Sequence, residues 1–252
     1  MNFEGRTIVI FGATGGIGSA LARFLAPTGC RLTLVARDSD RLKALAAELA
    51  AKGQSADATR SEDVERCLAS AHEESGRLDG VVCCIGSLLL KPAHTTTDDD
   101  WGTTLSTNLT TSFYILRAAA RWMMRGPGGS IVLSSSAVAE RGMIHHEAIA
   151  AAKAGVVGLA KSAAATYARH QIRVNCVAPG LTRTPMTLPL TRSESALKAS
   201  VALHPLGRIG EPDEVARAIL WLLSPDQGWV TGQVLAVDGG LSTIQPRLPS
   251  PS

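Results

Sequence analysis

Thr7-Ile-Val-Ile-Phe11 runs directly into Gly12-Ala-Thr-Gly15-Gly16-Ile-Gly18, and a helical pattern follows from Ile17 to Leu25. A short apolar strand, a glycine-dense turn and a helix form the unit in which backbone can approach a pyrophosphate. Glycines permit the tight turn, and the helix N-terminus offers free N–H groups to an anion. The spacing Gly-x-x-x-Gly-x-Gly differs from the more common Gly-x-Gly-x-x-Gly. Its position between strand and helix gives it weight, and a plain tight turn is the alternative.

Outward from this turn, apolar runs alternate with helical patterns. Leu32–Ala36, Gly80–Cys84, Ser130–Ser134, Arg173–Val177 and Gln233–Val237 read as further strands, and Arg41–Ala51 reads as a helix. Strands that are apolar throughout and separated by helices imply a parallel sheet covered on both faces. The expected fold is therefore α/β: a single-domain Rossmann fold, a doubly wound parallel sheet of about seven strands with helices on both faces. The domain is expected to span residues 1–243, and the proline-rich residues 244–252 to form a C-terminal tail.

The 252 residues are 45% hydrophobic and 19% charged, with a formal net charge of +3. That charge is too small to point to nucleic acid or a membrane surface. The N-terminus lacks a basic region followed by an apolar run, and no unbroken apolar stretch of about 18 residues occurs. The five cysteines, Cys30, Cys67, Cys83, Cys84 and Cys176, are irregularly spaced and form no zinc pattern. Reduced thiols in a cytoplasmic protein, with no metal, are the expectation.

The motifs together resemble the short-chain dehydrogenase/reductase family over roughly residues 5–242. The glycine turn, Asp57-Ala58, Cys83-Cys84-Ile85-Gly86, Asn108, Ser136, Lys153, Pro179-Gly180 and Asp238-Gly239-Gly240 stand at matching places. The branch of β-ketoacyl-acyl-carrier-protein reductases and sugar or polyol dehydrogenases is the most similar. The resemblance implies a dinucleotide cofactor held by Gly12, Thr14, Gly15, Gly16, Ile17, Gly18, Arg37, Asp57, Ala58, Gly86, Lys153, Pro179, Gly180 and Thr182. It also implies a small-molecule substrate and a homotetramer or dimer. Helices over residues 98–121 and 147–167 would then lie at one interface. Three departures stand out: Phe11 for the usual threonine, the Cys83-Cys84 pair, and Ile149.

Arg37 follows the second strand, where an acidic residue would select NAD(H). A guanidinium there can pair with a 2′-phosphate, which favours NADP(H) over NAD(H). Asp38, next in the chain, argues the other way.

By the same resemblance Ser136 polarises a substrate carbonyl, Lys153 holds the nicotinamide ribose, and Asn108 holds a water in the proton path. The family's tyrosine, four residues before the lysine, falls on Ile149, which has no proton to give. Loss of a positioned general acid costs about 10²–10⁴ in rate. His146, seven residues before Lys153, would share its helical face and could donate instead. His145 and Glu147 are weaker alternatives, and a plain polar loop before a helix is another. Two functions stay open: a reductase with an atypical site, and a cofactor-binding protein without catalysis.

Overall fold

The computed structural model describes residues 1–245. Seven parallel strands form one sheet: β1 (Thr7–Phe11), β2 (Arg31–Ala36), β3 (Lys52–Ser55), β4 (Gly80–Cys83), β5 (Gly129–Ser134), β6 (Ile172–Pro179) and β7 (Val234–Val237). Their spatial order is β3-β2-β1-β4-β5-β6-β7. The order reverses between β1 and β4, where Phe11 pairs with Cys83. The crevice beyond the carboxyl ends of these two strands is where such sheets bind ligands.

Two apolar cores flank the sheet. Helices α1 (Gly16–Leu25), α2 (Ser39–Glu48) and α8 (Pro212–Leu223) cover one face, with Leu21, Leu42 and Ile219 packed against Ile8, Leu34 and Val132. On the other face lie α3 (Ser61–Ser75), α5 (Thr111–Met123) and α6 (Glu147–Tyr167). Their Leu68, Ile115 and Val156 meet Val9, Val81 and Ile131. The expected doubly wound architecture is the one observed.

Three boundaries differ from the sequence reading. The strand β3 has the polar sequence Lys-Gly-Gln-Ser and sits at the sheet edge, half open to solvent. It carries no apolar signal, and only pairing with β2 makes it a strand. The helix expected over 41–51 begins earlier and ends at Glu48, because Asp38 caps it by accepting from Arg41 N at 3.1 Å. The helix expected from residue 98 is α4 (Asp98–Leu105), a wider turn over Ser106–Thr110, and then α5. In that turn Thr111 N–H bonds the Ser106 carbonyl, five residues back, so one extra residue bulges out of the helix.

α6 and the residues just beyond it have the length and apolar composition of a membrane span, although no unbroken apolar run marked it in the sequence. Half of that stretch is buried inside this fold. Among the described residues no His, Cys, Asp or Glu cluster could hold a metal. The five cysteines are unpaired. Residues 246–252 of the expected tail lie outside the described residues.

Candidate active site

The glycine turn has the geometry that a bound pyrophosphate requires. Gly12 adopts φ +79°, and a Cβ there would stand 2.9 Å from the Cys84 backbone. On Gly18 a Cβ would overlap the Gly12 carbonyl. The N-terminus of α1 has no side-chain cap and no acidic residue in its first turn. Its N–H groups are therefore left for an anion. These residues fit a dinucleotide.

Beyond the end of β2, Arg37 is exposed. The Thr59 N–H bonded to Asp57 Oδ1 at 3.0 Å holds the Asp57 carboxyl below its ordinary range, and the Arg37 charge adds to the effect. Asp38 is occupied as the α2 cap. Arg41, which the sequence reading overlooked, reaches back from α2 to donate to the Thr14 carbonyl at 2.7 Å. A guanidinium thus stands at the glycine turn. Its sequence signal was weak: an arginine one turn into a helix is usually a solvated residue.

A cavity of about 560 Å³ opens beyond the strand ends, lined by residues that include Gly86, Ser136, His146, Ile149, Lys153, Gly180 and Thr182. It brings together most of the residues expected at the reacting end. Lys153 is 6% exposed, and its Nζ donates to the Ser134 carbonyl at 2.9 Å. Burial pushes the lysine pKa down. The nearby thiols of Cys83, Cys84 and Cys176 are pushed up by burial, Cys176 to about 12. No thiolate therefore balances the ammonium at neutral pH.

Asn108 sits in the wide turn before α5 and is fully buried. Its Oδ1 accepts from Ser87 N at 3.1 Å, and its Nδ2 donates to Ser87 Oγ at 2.9 Å. Ser87, which also lines the cavity, was not singled out in the sequence. A Cβ on Gly86 would lie 3.2 Å from Asn108 Oδ1 and 3.4 Å from Lys153 Nζ, so the two groups converge on one glycine. Close packing of Gly155 on Leu109, 2.8 Å from where its Cβ would be, lets α6 approach the wide turn.

Ser136 ends the β5 extension in extended conformation, half-buried, and lines the cavity. Ile149 is 3% exposed and lines it too. His146 departs from the expected geometry. It is the N-cap of α6, at φ −112° and ψ 13°, not a helical residue. The facing rule for residues seven apart on a helix therefore does not place its ring. A different contact does. His146 Nδ1 donates to the Ile144 carbonyl at 2.6 Å, which leaves Nε2 as the free ring nitrogen. His145 is exposed at φ +63°, and its carbonyl accepts from Lys91 N at 2.8 Å, which fixes the loop.

The segment after Pro179-Gly180 closes the far side with α7 (Glu194–Ala202). His204, also missed in the sequence, pins it. Its Nδ1 donates to the Ser200 carbonyl at 2.7 Å, and its Nε2 accepts from Leu181 N at 3.2 Å. Thr182 is buried and donates to the Gly180 carbonyl at 3.1 Å.

A doubly wound parallel sheet with an uncapped glycine turn at its switch point defines a dinucleotide-binding α/β protein. A family model described as Enoyl-(Acyl carrier protein) reductase matches residues 12–242. The chain is 34% identical over 250 residues to a 2,5-dichloro-2,5-cyclohexadiene-1,4-diol dehydrogenase of Sphingobium indicum, spanning 96% of this chain and 99% of that one. It is 35% identical to a 3-oxoacyl-acyl-carrier-protein reductase of Vibrio harveyi, over 97% of this chain and 100% of the relative. A solved short-chain type dehydrogenase/reductase from Mycobacterium ulcerans superposes with TM-score 0.93 at 32% identity, over 98% of this chain and 93% of that one. The chain belongs to the short-chain dehydrogenase/reductase family of dinucleotide-dependent oxidoreductases.

Proposed function

We propose that this protein is an NADP(H)-dependent carbonyl reductase or alcohol dehydrogenase in which the His146 imidazolium replaces the tyrosine as proton donor. The observation that carries the reading is the gathering of Ser136, Lys153 and His146 on one cavity beside the glycine turn. The cofactor supplies the hydride when bound. Ser136 Oγ–H donates to the substrate carbonyl oxygen and orients it. His146, with Nδ1 fixed on Ile144, delivers a proton from Nε2 to that oxygen. Lys153 binds the nicotinamide ribose, where its ammonium finds the polar partners that the thiols do not provide. The Asn108–Ser87 pair holds the floor beneath. Reaction therefore requires the charged imidazole for reduction and the neutral one for oxidation.

The 2′-phosphate reading rests on Arg41 at the glycine turn and on exposed Arg37 just after β2, with Asp38 occupied by its helix. NADPH should bind at least tenfold tighter than NADH, and Arg37→Ala should erase most of that difference. One charge-assisted pair, about 1.5–3 kcal/mol, is involved. Titration calorimetry with both cofactors checks it, and equal affinities in the parent protein would sink it.

A second reading, a cofactor-binding protein without turnover, is favoured by the burial of Ile149 against the cavity. The two readings part on Ile149→Tyr. If loss of the phenol silenced the site, this variant gains ketone reduction over the parent in an NADPH-oxidation assay. If His146 already serves, the gain is small, since the parent turns over. Exposed Trp101 and Phe113 on α4 and α5 support a homo-oligomer built on these helices and α6, a tetramer or dimer. Five unpaired thiols accord with a reducing, cytoplasmic setting.

A further inference from the structure

We infer that the substrate of this site is an apolar, uncharged carbonyl compound, an alicyclic or aliphatic ketone, and not a sugar, polyol or cationic compound. The inference rests on the reading of the cavity as a carbonyl-reducing site and adds the substrate class. The cavity is lined by few charged groups and many apolar ones. Ser136 and Lys153 stand there, and the imidazoles of His145 and His146 also line it. Leu88, Leu90, Met186, Leu190, Leu203 and Leu241 supply its apolar lining, and Ile149 adds methyl groups where the family resemblance implied a phenol. No Asp, Glu or Arg is among the lining residues.

Three threonine hydroxyls on the closing segment are already bonded within the protein, while the Ser200 hydroxyl, also on the lining, is not. Thr182 Oγ1 donates to the Gly180 carbonyl, and Thr187 Oγ1 to the Thr182 carbonyl at 2.5 Å. Thr184 and Thr187 Oγ1 bond each other at 3.0 Å. His204 has both nitrogens engaged. A polyol would therefore bury several hydroxyls without partners, at roughly a factor of ten in affinity for each. A hydrocarbon skeleton loses nothing there and gains by leaving water. Large apolar side chains are exposed at this cavity, with Leu90 at 38%, Ile144 at 82%, Met186 at 51% and Leu203 at 38%. Such a gathering of exposed apolar surface marks a ligand site.

The test is binding, so that it separates from turnover. The whole protein is titrated calorimetrically with 2-decalone and with fructose, in the presence and absence of NADP⁺. Decalone is expected to bind at least a hundredfold tighter than fructose. Met186→Asp, at an exposed position, should weaken decalone at least tenfold while NADP⁺ affinity stays within twofold. Fructose binding as tight as decalone, or decalone affinity indifferent to Met186→Asp, overturns the inference. Decalone that binds without being reduced would fault the catalytic reading and leave the substrate class standing. Reduction of fructose in preference to decalone would do the reverse.

Discussion

Replacing His146 with alanine is expected to lower carbonyl turnover by about 10²–10⁴ while changing NADPH affinity less than twofold. The asymmetry follows from where the ring sits. His146 lines the cavity, whereas the contacts proposed for the dinucleotide are the glycine turn, Arg37 and Lys153. With Nδ1 donating to the Ile144 carbonyl, only Nε2 is free to serve the substrate. It can give a proton only when the ring carries both. Stopped-flow reduction rates for parent and variant, with NADPH affinity measured alongside, check this. An unchanged rate in His146→Ala would assign the proton to solvent or to another group.

The second large effect is at Gly12. Gly12→Ala meets two separate penalties. Its φ of +79° is a left-handed conformation that an alanine Cβ resists, and that Cβ would press on the Cys84 backbone at 2.9 Å. Backbone strain and overpacking together are expected to cost about 2–4 kcal/mol of stability. Since β1 and β4 are adjacent strands, relief of the clash must move the turn relative to the crevice. Dinucleotide affinity should therefore fall at least tenfold even in the fraction that stays folded. Thermal unfolding with and without NADP⁺ separates the two losses. A variant that keeps both its melting temperature and its cofactor-induced shift would show that the turn is less confined than its contacts imply.

The sheet was legible because its inner strands are mostly apolar and buried on both faces, with helical patterns between them. β3 was not legible, since Lys52-Gly-Gln-Ser55 is a strand only by virtue of its neighbour. The glycine turn stood out by its place between a strand and a helix, whereas Ser136, Asn108 and Lys153 were singled out through the family resemblance. Arg41, Ser87 and His204 were not. Each acts through a partner distant in sequence: Thr14, Asn108 and Leu181 respectively. His146 shows a further limit. Its spacing from Lys153 was visible, but its place outside the helix was not, because a one-residue shift in a helix start leaves composition unchanged. Ring and lysine line the same cavity by way of the Ile144 carbonyl, not by helical periodicity.

The wide turn at Ser106–Thr110 makes residue count, and not only residue identity, a carrier of function. Each position along a regular helix turns the side chain by about 100°. Removing any single residue from this segment would let α4 and α5 fuse into an uninterrupted rod. Asn108, even if retained, would then swing away from Ser87 and Gly86. Substitution at the neighbouring positions can be absorbed, whereas a one-codon deletion cannot. Drift in this stretch is therefore constrained in length before it is constrained in composition.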